Sequence, residues 1–240
     1  MQISIIVPVF NEASLIQPFL AHLHERAFGA EIIVVDGAST DGTDGLAVGL
    51  CDQLVRSGER CRATQMNAGA RMAVGDIFWF LHVDAEVPRD CLNEISGIMQ
   101  DPTVGGGFFR IRLPEPAVYR LTDSFAHYAG VLLGMRCGDH GIFCRRTAFL
   151  DIGGFPNVPL MEDVEFFRRL RCSGRVVHSN KRIAASARRY EAVGPFRLTF
   201  VYGLIATLYF LAVPLPALAR IYQRGCCSAE PGSPQGKALS

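Results

Sequence analysis

The sequence predicts an α/β protein with a mostly parallel central sheet covered by helices on both faces. Three observations predict it. Short, nearly all-apolar, β-branched runs alternate with segments of helical spacing through the first hundred residues, and strands that are apolar throughout belong to sheets buried on both sides. The chain has 240 residues, 49% of them hydrophobic, enough for one sizeable core. Polar residues gather where the apolar runs stop, and parallel sheets bind ligands beyond the carboxyl ends of their strands.

Ile3–Val9 is the first strand. No basic stretch precedes it, and it is too short and too β-branched for a signal peptide, so the body of the chain is expected to stay in the cytoplasm. Residues 14–26 space Leu15, Phe19 and Leu23 as a helix does. Glu31–Asp36 is a second strand, 43–50 a short helix, Gln53–Arg56 a short strand and 63–74 a helix. The fourth strand, 77–82, ends in His82-Val83-Asp84 instead of an ordinary turn, and strand alternation would direct His82 and Asp84 to the same side. Pro88 suits the first position of a helix running to about residue 100. GGGFFRIRLP, from 105, reads as a strand polar on one side, followed by a helix over 117–133. A later loop delivers Glu162 and Asp163 to a helix start, where the macrodipole favours acids, and 175–183 closes the sheet.

These elements divide the chain into a body of residues 1–191, an apolar helical segment 192–224 and a small-residue, polar tail 225–240 expected to be disordered. Residues 198–219 hold 22 positions without a charge, between Arg197 and Arg220, but Pro214 and Pro216 leave only 198–213 as continuous helix. A membrane-embedded or interfacial hairpin, a tilted span, a dock for a lipid-linked substrate, and a core helix with a Pro-terminated loop all suit this segment. Net charge is +1, with 24 basic against 23 acidic residues, which gives no footprint for nucleic acid. The eight cysteines lack metal spacing and read as reduced thiols, with the Cys226-Cys227 pair a candidate for lipidation beside a membrane.

The second strand ends VVDGASTDGT, where Asp36 closes the apolar run and Gly37, Ser39, Asp41 and Gly42 supply a turn. A dinucleotide fold also puts an acid here, but it needs GxGxxG after the first strand, where this chain has PVFNEAS. A nicotinamide cofactor is therefore not expected, and an acid that reads a nucleotide's base or ribose stays open.

IIVPVFNE, VVDGASTDGT, RATQMNAGA, the strand ending HVDA and the later MEDVEF, in order across residues 3–191, together resemble glycosyltransferase family 2 with its GT-A fold. GDHGIFCRR, GGFPNVPLMEDVEF and SARRY also resemble a bacterial subgroup of radical-SAM/selenodomain-associated transferases. The resemblance implies inverting, hexosyltransferase-like transfer from a nucleotide-sugar donor, UDP-linked in the first expectation, to an acceptor hydroxyl. It implies that Pro8, Asn11 and Glu12 line the nucleotide pocket, with Glu12 near the ribose, and that Asp36 bonds the base, with Asp41 in the same substrate-binding turn. Arg62 or Gln65, with Asn67, would lie by the nucleotide or diphosphate. Asp84 would be the metal ligand, and Asp163 the catalytic base, paired with Glu162. Arg188 and Arg189 would meet the diphosphate or form a solvated basic face. The acceptor is unknown; a lipid or lipid-linked acceptor, reached by peripheral contact at the inner face of the membrane, fits the apolar segment.

The chemistry explains these residue types independently. The donor diphosphate leaves with negative charge, and Mg²⁺ or Mn²⁺ held by one firm carboxylate and the phosphates would neutralise it. A general base removing the acceptor proton typically contributes about 10²–10⁴ in rate, and inversion needs no second carboxylate. His82 stands where the family often has Asp; imidazole suits Mn²⁺ better than Mg²⁺, and contact with a phosphate or a water is favoured over direct ligation. His140 and His178 are further candidate ligands. Two other readings compete: a noncatalytic nucleotide-sugar-binding protein, against which Asp84 and Asp163 together argue, and a sugar-phosphate nucleotidyltransferase, whose Gly- and Lys-bearing phosphate loop is missing from PVFNEAS.

Overall fold

The computed structural model describes residues 1–112, 140–184, 186 and 188–226. The helix expected over 117–133, and the tail from 227 onward, lie outside the described residues. The elements in order are β1 (Ile3–Val9), α1 (Ala13–Arg26), β2 (Glu31–Asp36), α2 (Thr43–Ala47), β3 (Gln53–Arg56), α3 (Arg62–Met72), β4 (Ile77–Phe80) and α4 (Cys91–Ile98). They continue as β5 (Val104–Arg112), β6 (Phe143–Arg145), α5 (Arg146–Asp151), α6 (Glu162–Ser173), β7 (Arg175–Ala184), α7 (Arg188–Val193), α8 (Pro195–Phe210) and α9 (Leu215–Cys226).

The described strands form one sheet in the order β3-β2-β1-β4-β6-β5-β7. β1 runs parallel to β2 and β4, and β2 to β3. β6 is antiparallel to both of its neighbours, while β5 and β7 are parallel. The chain moves outward from β1 to β3 and then returns to β4 on the other side of β1. That reversal opens a crevice at the carboxyl ends of β1 and β4, the usual place for a ligand in such a sheet.

Period-two alternation sorts the core into two layers. Ile3, Ile5, Val7 and Val9 of β1 meet Ile16, Phe19, Leu20 and Leu23 of α1 on one face. Ile6 turns to the other, where Ala63 and Met66 of α3 and Phe166, Phe167 and Leu170 of α6 cover the sheet. Gly106 and Gly107 are there for space. A β-carbon on Gly107 would lie 2.5 Å from both the Phe143 ring and the Val177 carbonyl, so β5 fits between β6 and β7 only without one.

Several expectations shift: the short helix expected over 43–50 stops at Ala47, and the helix expected to run to 213 stops at Phe210. The fourth strand stops at Phe80, not residue 82, and Ala85 N donates to His82 O at 3.1 Å in a turn. The facing of His82 and Asp84 is therefore set by that turn and not by strand alternation. Pro88 does not open a helix: Glu86 and Ala184 pair through N–H···O bonds of 2.9 and 3.1 Å, holding this stretch extended against the end of β7, and α4 begins only after Asp90, whose φ is 57°. Gly225 and Cys226, assigned to the tail, belong to α9.

The apolar segment becomes a helix pair. Leu198, Val201 and Ile205 of α8 and Leu218 and Cys226 of α9 form a third cluster, joined by Val193 and by Leu160 and Met161 from the loop before α6. No helix among the described residues is long and apolar enough to cross a membrane. The 16 residues of α8 reach about 24 Å, short of the roughly 30 Å hydrocarbon core.

Candidate active site

The loops at the carboxyl edge hold backbone that side chains rarely adopt. Asn11 after β1, Ala38 after β2 and Met161 before α6 have φ values of 53°, 65° and 64°. For Ala and Met this left-handed geometry costs on the order of 1–2 kcal/mol, and such strain concentrates at functional sites. The loops after β1 and β2 are then tied together. Asn11 N donates to Ser39 Oγ at 2.9 Å, Thr40 N donates to Asn11 Oδ1 at 2.8 Å, and Glu12 N donates to Thr43 Oγ1 at 2.8 Å.

Asp41 is the latch of this assembly. Its carboxylate accepts Ala13 N at 3.0 Å, Thr43 N at 3.1 Å and Thr43 Oγ1 at 2.5 Å, joining the turn after β2 to the start of α1. Burial pushes its pKa up, but these bonds outweigh that and hold it below the usual carboxylate range. Asp36 differs. It is 2% exposed, its Oδ2 accepts Ser39 N at 3.0 Å, and its buried Oδ1 has no hydrogen-bond partner among the described residues. A buried carboxylate oxygen left without a donor is costly, which sets Asp36 apart from the other acids of this edge.

The two amides expected at the nucleotide face the frame instead. Gln65, 2% exposed, donates through Nε2 to the carbonyls of Val9 and Val35, both at 2.8 Å, and so splices the ends of β1 and β2. Asn67 donates to Phe155 O at 2.8 Å and accepts Phe155 N at 2.9 Å, clamping the GGFP loop to α3. Arg62 is exposed at the start of α3, and Pro8 is buried within β1. Arg60, which the sequence did not single out, lays its guanidinium 4.6 Å from the centre of the Phe10 ring. An aromatic residue closing an aliphatic strand was the available signal.

At the switch point, Glu12 and Asp84 converge on Arg188. Its Nη1 is 3.0 Å from Glu12 Oε2 and its Nη2 is 3.0 Å from Asp84 Oδ2. Burial opposes the Arg188 charge, yet the hydrogen bonds to Glu12 and Asp84 outweigh it and raise the pKa. His82 lines a small void with Pro8, Met66, Phe80, Leu81, Ile142 and Phe155. His140 and His178 flank the Phe108 ring, and His140 Nδ1 donates to Phe109 O at 3.0 Å.

Glu162 and Asp163 begin α6. One residue, Gly174, separates α6 from β7, and β7 runs parallel to β5, so α6 ends at the amino edge and starts at the carboxyl edge. Its register is locked by aromatic packing: Phe166 stacks on Phe155 with centroids 4.0 Å apart, and Phe80, at the end of β4, meets Phe155 edge-on at 4.8 Å. Asp163 lies one turn before Phe166, and its Oδ1 accepts Val164 N at 2.7 Å. Glu165, the third acid of MEDVEF, was also missed. It binds Arg168 at 2.9 Å and accepts the Tyr209 hydroxyl, anchoring α8 to α6.

A mixed α/β sheet with a nucleotide-type crevice and acids at its strand ends defines a class, and comparison with known proteins gives the family. The glycosyl transferase family 2 model matches residues 4–149, and the chain belongs to that family. Asp163 and Arg188 lie beyond the matched stretch. The architecture is of GT-A type: the mannosyltransferase PcManGT from Pyrobaculum calidifontis, solved with GDP-Man and Mn²⁺, superposes with a TM-score of 0.69 at 24% identity, covering 95% of this chain and 73% of that one. S. aureus TarS 1–349 with UDP-GlcNAc gives 0.63 at 18% identity, covering 84% and 66%. In sequence, the uncharacterized protein MT1568 of Mycobacterium tuberculosis is 26% identical over 197 residues, 70% of this chain; the match spans 61% of that relative's length.

Proposed function

We propose that this chain transfers a sugar from a nucleotide-sugar donor to an acceptor hydroxyl, with inversion at the anomeric carbon. The observation that carries the reading is the convergence of Glu12 and Asp84, from the ends of β1 and β4, on one positive charge. A site that handles a departing diphosphate needs this kind of preorganised charge. The Arg188 guanidinium acts as a stand-in cation between the two carboxylates, and carboxylate oxygens suit Mg²⁺ or Mn²⁺. Asp84 would hold such an ion, with His82 at hand for Mn²⁺ or a phosphate. Bound there, the ion supplies neutralisation of the charge that develops on the diphosphate. Among the described residues no three His, Cys, Asp or Glu side chains form a ligand set by themselves, so the donor's oxygens and water would complete the shell.

The remaining roles follow from position. Asp36 offers Oδ1 to the base or ribose of the donor. Arg60 on Phe10 adds positive charge and an aromatic face beside it. Asp163 takes the proton of the acceptor hydroxyl at its carboxylate as that oxygen attacks. UDP is the first donor nucleotide to test; PcManGT was solved with GDP-Man, so GDP is the second.

A lipid or lipid-linked acceptor is supported by α8. Phe196, Phe200 and Leu204, four residues apart on one side of the helix, are 79%, 71% and 37% exposed. Residues 192–226 contain three arginines and no acid, so no side chain of this stretch would repel anionic lipid. Cys51, Cys61, Cys91, Cys144 and Cys172 are free thiols, in keeping with work in a reducing cytoplasm at the inner face of the membrane.

The test is a donor binding and hydrolysis screen with UDP-, GDP- and dTDP-sugars, with and without Mn²⁺ or Mg²⁺. Asp84→Asn is expected to lose metal-dependent donor binding. Asp163→Asn is expected to bind the donor and, with an acceptor supplied by lipid extract, to lose about 10²–10⁴ in turnover. Absence of binding to every nucleotide under all conditions refutes the reading.

A further inference from the structure

We propose that Arg188 is the resident counter-ion of the cation site: it competes with a divalent cation that arrives alone and is handed to the diphosphate when the cation arrives with nucleotide. The inference rests on the donor-site reading above. Its basis is the forked contact of one guanidinium with two carboxylates, each nitrogen 3.0 Å from its own oxygen. The three residues are remote in sequence, with Arg188 104 positions from Asp84 and 176 from Glu12. Arg188 is brought there by α7, whose last residue, Val193, packs into the cluster that joins α8, α9 and the loop before Glu162.

Charge decides the sequence of events. With Arg188 in place the trio carries a net charge of −1; without it the two carboxylates carry −2. A divalent cation held by Asp84 while the guanidinium stays on Asp84 Oδ2 would set like charges within a few ångströms in a partly buried crevice, which is unfavourable. The cation therefore has to displace the guanidinium. A planar guanidinium fork matches phosphate oxygens as well as it matches carboxylates. A diphosphate that accompanies the cation would offer those oxygens to the guanidinium that Asp84 releases. Cation and nucleotide then bind with positive coupling, and part of that coupling is carried by Arg188.

The experiment uses the full chain. Mn²⁺ binding without nucleotide is measured by electron paramagnetic resonance, and UDP and GDP binding by calorimetry with and without Mn²⁺, in wild type, Arg188→Gln, Arg188→Lys and Asp84→Asn. Two half-exposed ion pairs of this kind are worth a factor of about 2 to 30 together, so Arg188→Gln is expected to bind Mn²⁺ alone that much tighter. In Mn²⁺ the same variant is expected to bind the nucleoside diphosphate more weakly than wild type, reversing the sign of the effect. Arg188→Lys keeps the charge without the fork; it is expected to bind Mn²⁺ alone with an affinity between wild type and Arg188→Gln and to lose the nucleotide gain. Mn²⁺ binding that requires Asp84 but ignores Arg188→Gln overturns this inference alone. Mn²⁺ binding that ignores Asp84→Asn overturns it together with the donor-site reading.

Discussion

Gln65→Met separates two roles for an amide that lies at the carboxyl ends of β1 and β2. In the structure Gln65 Nε2 holds the Val9 and Val35 carbonyls at 2.8 Å each from a position 2% exposed. Methionine keeps most of the volume, so the cavity contribution is small and the lost hydrogen bonds dominate. Val9 O still accepts Gly37 N at 2.9 Å, so its loss is the milder one. A buried acceptor losing its donor costs about 1–3 kcal/mol, which gives roughly 2–4 kcal/mol for the pair. For a domain of this size 1 kcal/mol shifts Tm by about 2–4 °C, so the variant is expected to melt roughly 5–15 °C lower without any ligand present. Gly37→Ala presses on the same amide, since its β-carbon would lie 2.9 Å from Gln65 Nε2, and it should shift Tm in the same direction. The assay is thermal unfolding by circular dichroism in the absence of nucleotide, followed by nucleotide titration below the transition. A Gln65→Met protein that melts with wild type and yet loses nucleotide affinity would refute the splice and restore Gln65 as a ligand contact.

Two further predictions concern the C-terminal helices. Burial, and then the hydrogen bond to Glu165, push the Tyr209 hydroxyl up to about 12 from its ordinary 10. The folded state favours the protonated phenol, so the stability it contributes is complete below pH 10 and is lost as pH rises toward 12. On the acid side, burial raises the Glu165 pKa, but its bonds to Tyr209 and Arg168 win and lower it, so its contribution is present above 4.5 and lost as pH falls below that. Proteolysis within α8 should therefore accelerate in both windows in wild type and already be fast at neutral pH in Tyr209→Phe; equal proteolysis profiles would contradict the anchor. On the exposed side of α8, Phe196→Ser combined with Phe200→Ser is expected to weaken sedimentation with anionic vesicles by about tenfold or more, given about 1.5–3 kcal/mol for each fully buried Phe. Wild-type protein that ignores anionic vesicles removes the membrane contact.

How much of this was legible beforehand depends on the range of the interaction. Ile3–Val9, Glu31–Asp36 and Gln53–Arg56 were readable residue for residue because apolar, β-branched runs with breakers at their ends specify buried strands locally. The carboxylates at the strand ends were equally legible, since a parallel sheet makes that edge the ligand edge whatever its loops do. Pro214 and Pro216 announced a break in the apolar segment but not its place: the helix already ends at Phe210, and Pro216 sits in the first turn of α9, where proline is tolerated.

Tertiary structure decided the rest. An Asn or Gln in a sequence states that donors and acceptors exist but not which way they face, and Gln65 and Asn67 turned inward because the strand ends and the GGFP loop needed partners that only the folded chain brings near. Asp41 looked like Asp36, yet one became a latch and the other keeps a buried oxygen without a donor among the described residues. Strand order set that difference by packing the turn after β2 against the start of α1. The meeting of Glu12, Asp84 and Arg188 was the least legible of all. Charge pairs act through space, and nothing local in the chain records that the sheet reversal between β1 and β4 opens a crevice which a helix more than a hundred residues later can reach.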